Sequence, residues 1–207
     1  MVATVFLLSP ARCSGERAEM LVTSKRSELG KRLHAGAATL GEVMAWLSAL
    51  YFRGKLMYSE RFDTARPLPS ALVMTPGQGL RPPSWQLTTE DLRAMGKVDI
   101  ETRAFVEPLR RDAEQIARAY GDDARVVLLG SIATGKYVDT LLDVFGERLL
   151  FPETFVGRGD MSRGGLMLRA ARSGEELAYR PVAGATRHGE RPPKLPKLPS
   201  RSGVTSS

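Results

Sequence analysis

Three apolar runs punctuate the chain: "TVFLLSP" (4–10), "SALVMTPGQGL" (70–80) and "ARVVLLGS" (124–131). Each strings leucine and β-branched residues together with little polar interruption and ends in small or turn-forming residues. That composition predicts strands covered on both faces, as in a parallel sheet, rather than strands with one wet side.

Between the runs the apolar residues recur at helical spacing. "TLGEVMAWLSALYF" opens with Thr39 and places Glu42 three residues on, a capping box. Val43, Leu47, Leu50 and Tyr51 then share one face of a predicted helix. A second helix is predicted within 99–120, where Pro108 either kinks it or starts its second half. A third spans 136–146 and ends at Gly146 as its C-cap. A short fourth strand is expected around 148–151. The alternation of strands and helices predicts a three-layer α/β fold with a mostly parallel central sheet, in a single domain over 1–186. The segment 187–207, "RHGERPPKLPKLPSRSGVTSS", carries too few apolar residues to pack and is expected to be a disordered basic tail.

Composition narrows the chemistry. Lys and Arg number 30 against 23 Asp and Glu, a net charge of +7, which favours a polyanionic partner, nucleic acid before a membrane surface. The single cysteine, Cys13, precludes an internal disulfide and a cysteine-based zinc site. It has no nearby histidine and reads as inert. His34 and His188 stand far apart in no ligand-spaced motif, so neither a metal nor a cofactor is expected. The opening apolar run is too short to span a bilayer, and the protein is expected to be cytoplasmic with no membrane partner.

In an open parallel sheet, ligands bind beyond the carboxyl ends of the strands. That rule gathers Ser9 and Pro10, then Gly77, Gln78 and Gly79, then Gly130 and Ser131 as candidate pocket residues. Their small side chains would let a ligand approach the backbone, although short connections use such residues in any case.

The segment "FVGRGDMSRGGLMLRAA" (155–171) concentrates glycine and arginine just before a helical pattern. Asp160 or Ser162 is expected to cap a helix beginning near Arg163, with Arg158 and Arg163 supplying charge-assisted phosphate contacts. The sharper reading makes Asp160 catalytic. Two flanking arginines favour its charged form, which suits a carboxylate that orients water or stabilises an oxocarbenium ion. Glu153 is the second candidate acid. No G-x-G-x-x-G unit and no Walker-type loop is present. The stretch "LYFRGKLMYSERF" (50–62) interleaves aromatic and basic residues, and Arg53, Lys55 and Tyr58 are expected to be exposed contacts for bases and phosphates.

"ARVVLLGSIATGKYV", with "LLSP" after the first strand, "MTPGQGL" after the second and a glycine-rich loop late in the chain, resembles the uracil-DNA-glycosylase-like superfamily over roughly 4–175. In outline the chain is also similar to the peroxide-stress YaaA family and to the base-exchange part of archaeosine synthases. The resemblance implies that fold, and an enzyme that flips a base out of DNA and cleaves its N-glycosidic bond. Two departures bear on the substrate. The Gly-Gln-Asp-Pro-Tyr loop of uracil glycosylases is replaced by Gly130-Ser131-Ile132-Ala133, and their late His-Pro-Ser loop is missing. A modified base rather than uracil is therefore expected, with defence against phage carrying modified DNA as one use for the activity. The alternatives are a noncatalytic DNA-binding stress protein and base exchange on tRNA.

Overall fold

The computed structural model describes residues 3–64, 69–133, 135–193 and 195–196. In chain order the elements are β1 (Thr4–Leu8), α1 (Glu16–Thr23), α2 (Glu28–His34), β2 (Ala38–Thr39), α3 (Leu40–Ser48) and α4 (Leu50–Arg61). Then follow β3 (Ala71–Thr75), β4 (Gly79–Arg81), β5 (Gln86–Leu87), α5 (Thr89–Gly96) and α6 (Arg103–Tyr120). The last are β6 (Arg125–Leu129), α7 (Lys136–Phe145), β7 (Leu149–Pro152), α8 (Asp160–Ser173) and β8 (Tyr179–Pro181).

Six strands form one sheet in the order β4-β3-β1-β6-β7-β8, while β2 and β5 make a separate two-stranded ladder. The three apolar runs supply its centre. β1 pairs in parallel with β3 on one side and with β6 on the other, and β7 continues parallel to β6. The edge strands β4 and β8 are antiparallel. Alternate residues of each central strand face opposite layers: Phe6, Leu8, Val127 and Leu129 pack with α3, α4 and α8, whereas Val5, Leu7, Val126 and Leu128 pack with α6 and α7. Helices thus cover both faces, which is why these strands carry no polar alternation.

The chain runs from β1 to β3 on one side of β1, then returns to β6 on its other side. The connections after β1 and β6 therefore diverge, and a crevice opens beyond the carboxyl ends of these two strands.

The capping box at Thr39 and Glu42 forms as expected, with Thr39 Oγ1 accepting from the Glu42 backbone N–H. The helix it opens is shorter than the periodicity predicts. It stops at Ser48, and Ala49 adopts φ 46°, the one positive φ of a non-glycine residue among the described residues. No glycine or proline marks this break, so the apolar period runs through it unchanged. The turn, with Ala49 at φ 46° and ψ −120°, costs about 1–3 kcal/mol of backbone strain and re-aims α4 so that it crosses α8. At the crossing Gly54 meets Gly164: a Cβ on Gly54 would stand 2.8 Å from the Gly164 carbonyl oxygen. Two glycines at one contact let the backbones approach closely and bring the N-terminal halves of α4 and α8 together.

Pro108 lies inside α6, with six residues of the helix from Arg103 onward at its N-terminal side or occupied by it. The expected disordered tail is only partly described. Arg187 donates to Asp139, and the carbonyls of Pro193 and Pro196 accept from Arg158 and Arg169, so this stretch lies along the 155–158 loop and α8. Lys194 and residues 197–207 lie outside the described residues. Among the described residues no helix is long and apolar enough to cross a membrane.

Candidate active site

A cleft of about 490 Å³ occupies the crevice at the ends of β1 and β6. Its lining includes Ser9, Pro10, Tyr51, Ser131, Tyr137 and Asp160. Ser9 and Pro10 leave β1, Ser131 leaves β6, Tyr51 comes from α4, Tyr137 from α7 and Asp160 from α8. A second depression of about 610 Å³ shares Pro10, Ala11, Arg12 and Ile100 with the first, so a groove continues across the lip formed by residues 10–12.

Gly130 sets the clearance at the floor. A Cβ there would come within 2.9 Å of Ser9 Cβ and 3.0 Å of the Tyr137 hydroxyl. The absence of a side chain lets Ser9 and Tyr137 converge. Tyr137 donates to the Ser131 carbonyl at 3.1 Å. Burial raises the Tyr137 phenol, opposed by its hydrogen bond to Ser9, so it remains a neutral donor. Among the described residues the Tyr51 hydroxyl meets no partner in good hydrogen-bond geometry although Tyr51 is only 5% exposed; burial raises its phenol, and the Arg163 side chain close by opposes that rise.

Beneath the lining lies Lys55, 1% exposed. Its Nζ donates to the Ser9 carbonyl oxygen and is in hydrogen-bond contact with Ser9 Oγ, each at 2.8 Å, and stands 3.9 Å from the Tyr51 ring centroid. Burial pushes the Lys55 amine down to about 7; Asp160 acts upward on it and Arg163 downward. Lys55 is therefore not the exposed phosphate contact expected from the sequence. It lies at i+4 from Tyr51 and i−3 from Tyr58, and that spacing on an apolar helix face is the signal that it points inward.

Tyr58 is likewise buried, at 0% exposure. Its hydroxyl lies 2.6 Å from that of Tyr179 and accepts from the Leu177 N–H, and its ring meets Phe6 edge-on, so it anchors β8 and does not stack on a base. Arg163 is buried too, donating from Nε to the Phe155 carbonyl at 3.2 Å and ion-pairing with Asp160 at 3.5 Å. Arg158 is committed to its own surroundings, bonding the Thr154 and Pro193 carbonyls and Ser162 Oγ. Of the residues expected to touch nucleic acid, Arg53 alone is exposed with no side-chain hydrogen bond or ion pair among the described residues.

Asp160 is not a helix cap. Gly159 occupies that position without side-chain capping, and Asp160 is the first helical residue, its side chain 67% exposed at the cleft. Glu153 lies elsewhere: it pairs with Arg180 at 3.0 Å and lines a different depression. Gly77, Gln78 and Gly79 also miss the cleft. They form the tight turn between β3 and the antiparallel β4, closed by the Gln78 N–H on the Thr75 carbonyl. Cys13 is buried, and desolvation pushes its thiol up to about 12, well out of nucleophilic range.

The sequence reading missed Tyr51, Tyr137 and the placement of Lys55. Among the described residues no group of three or more His, Cys, Asp or Glu is placed to hold a metal ion. Comparison with protein-family models, with curated proteins and with solved structures finds no match to this chain.

Proposed function

We propose that the chain hydrolyses an N-glycosidic bond in nucleic acid, seating one nucleotide of DNA carrying a modified base in the cleft between β1 and β6. The observation that carries this reading is the position of Asp160: a carboxylate relieved of capping, at the mouth of a polar cleft at the sheet's switch point. The cleft volume falls in the range of small-ligand sites, roughly 300–1,000 Å³, which suits a single flipped nucleotide. The groove continuing past residues 10–12 gives the rest of a polymer somewhere to run. The net charge of +7 supports a polyanion. The resemblance to uracil-DNA-glycosylase-like proteins adds the same expectation for fold and reaction, and the replaced loop after Gly130 directs it away from uracil.

In this reading the hydroxyls of Tyr51, Tyr137 and Ser131 meet the polar edge of the base or the attacking water. Asp160 faces the sugar, and its negative charge stabilises the oxocarbenium ion as the bond to the base lengthens. Arg163 holds the carboxylate in place from behind through the 3.5 Å ion pair.

The test incubates DNAs carrying different natural base modifications with the wild type and with Asp160→Asn, then treats them with alkali. The expected result is strand breakage at abasic sites in one modified DNA, reduced about 100-fold or more by the substitution with DNA binding retained. Full activity in Asp160→Asn would remove Asp160 from the reaction. No abasic sites in any DNA, despite salt-sensitive binding, would favour a noncatalytic DNA-binding protein.

A further inference from the structure

Lys55 is buried without a counterion. Among the described residues no carboxylate makes an ion pair with it, and its only hydrogen-bond partners are the carbonyl and hydroxyl oxygens of Ser9. The groups facing it are Tyr51 and Phe52 on its own helix, Asp160 and Arg163 from α8, and Ser9 at the end of β1, which is itself hydrogen-bonded to the Tyr137 hydroxyl of α7. An ammonium in this setting has lost its water and faces Arg163 as well as Asp160, so the neutral amine becomes the main form only as the pH rises past about 7. A neutral amine has two hydrogens and one lone pair. In the structure Nζ donates to both Ser9 oxygens and the Ser9 hydroxyl donates to the Leu129 carbonyl at 3.4 Å; once the amine is neutral, its lone pair competes with that long bond for the Ser9 proton. Ser9 lines the cleft and Lys55 does not, so Ser9 carries any effect of the amine to the ligand.

We propose that Ser9 and Lys55 form the proton-accepting pair of this cleft, with the Tyr51 hydroxyl, which meets no partner in good hydrogen-bond geometry among the described residues, holding the water that attacks. For the reaction it serves, this assignment rests on the N-glycosidic reading; the activation of Ser9 by Lys55 does not. Water gives a proton to Ser9 Oγ as the Ser9 proton passes to Lys55 Nζ. The water oxygen bonds to the anomeric carbon while the carbon–nitrogen bond breaks, its electron pair leaving with the base. The base takes up a proton from solvent and Lys55 returns its proton to solvent, so the sum is addition of one water.

A fluorophosphonate probe tests the pair without any DNA. Ser9 Oγ attacks phosphorus, the phosphorus–fluorine bond breaks, fluoride leaves and the Ser9 proton goes to Lys55. The full-length wild type is expected to be phosphonylated at Ser9, located by peptide mass spectrometry, at a rate that rises through pH about 7 and levels off above it. Lys55→Met, whose side chain is similar in length and apolar, is expected to slow labelling about 100-fold while a thermal melt reports its folding. Ser9→Ala controls for labelling elsewhere. No labelling of Ser9 in the wild type, or equal labelling in folded Lys55→Met, overturns the pair. Tyr51→Phe is expected to keep Ser9 labelling and lower base release at least 10-fold; unchanged base release removes Tyr51 from the role of holding water. Base release that depends on Asp160 without Ser9 labelling leaves the glycosidic reading standing and the pair fallen. Ser9 labelling without base release from any DNA does the reverse.

Discussion

Two glycine-bearing strand ends look alike in the sequence and do opposite things in the fold. Gly77-Gln78-Gly79 follows β3, and Gly130-Ser131 follows β6. At the first, Gly77 and Gly79 both take φ +75°, and the chain reverses into β4. At the second, Gly130 has no positive φ; its value lies in the space a side chain would fill between Ser9 and Tyr137. Glycine at the first position serves the backbone and at the second serves the site. The difference follows from where each strand leads: β3 pairs onward with an antiparallel neighbour, whereas β6 ends at the switch point, where no strand continues.

The contrast breaks most visibly at Gly79. Gly79→Ala forces a residue with a Cβ into the left-handed region and sets that Cβ against the Asp112 carboxylate, which accepts the Leu80 N–H, and within 2.8 Å of the Pro108 carbonyl oxygen. Strain and overpacking together are expected to lower stability by about 3 kcal/mol, read by urea unfolding. Phosphonylation of Ser9 in the fraction that stays folded is expected to match the wild type. A stability loss below about 1 kcal/mol would show that the hairpin tolerates a side chain there.

The cleft end responds to pH instead. Lys55 is lowered from 10.5 to about 7 on folding, so between these values the unfolded chain binds one more proton than the folded one. Stability therefore rises with pH through that window, with a slope of up to about 1.4 kcal/mol per pH unit. It levels off above the unfolded value and is lowest below about 7. Cys13 and the buried tyrosines act in the opposite sense at higher pH, because their folded values are raised. The measurement thus belongs between roughly pH 7.5 and 9, comparing the wild type with Lys55→Met. The variant is expected to lose the slope and to be more stable near pH 7. Parallel slopes would mean that Lys55 stays charged in the fold, and would remove the basis for the proton-accepting pair.

How far the sequence spoke depended on the physics behind each signal. The central strands were legible because burial on both faces leaves an uninterrupted apolar run, and Ser9 and Gly130 were legible because strand ends follow a topological rule. The break at Ala49 was not, since nothing in "LSALYF" forbids a continuous helix; the reason for it is the crossing of α4 and α8 at Gly54 and Gly164, a long-range contact. Gly77–Gly79 reads as a pocket edge because a local run does not reveal the orientation of the next strand. Lys55 and Arg163 read as surface groups because lysine and arginine mostly are. Their burial comes from the same helix crossing, which closes α8 over α4. Asp160 is legible as a candidate, but its release from capping depends on the helix starting at Asp160, one residue earlier than an Asp160 cap and three earlier than a Ser162 cap would have it.

Gly130→Ala tests the other half of the comparison with a smaller effect on stability. The new Cβ meets Ser9 Cβ at 2.9 Å and the Tyr137 hydroxyl at 3.0 Å; the end of the tyrosine can swing aside, whereas Ser9 Cβ moves only with the backbone at the end of β1. A cost of about 1–2 kcal/mol is expected, alongside a loss of Ser9 phosphonylation of at least 10-fold as Ser9 moves off Lys55. A variant that is destabilised yet labels normally would mean that the clearance at Gly130 serves packing alone.

The smallest effect is expected at Arg53, the one candidate nucleic-acid contact that remains exposed and unengaged. Arg53→Ala removes no hydrogen bond or ion pair among the described residues, so stability is expected to change by no more than about 0.5 kcal/mol. If Arg53 meets a phosphate, the substitution weakens binding about equally for all DNA sequences and reduces the dependence of log affinity on log salt by about one. An unchanged salt slope would take α4 out of the binding surface. The groove that continues from the cleft past Arg12 would then be the part of the molecule to substitute next, because it lies at the strand ends rather than on the outer face of a helix.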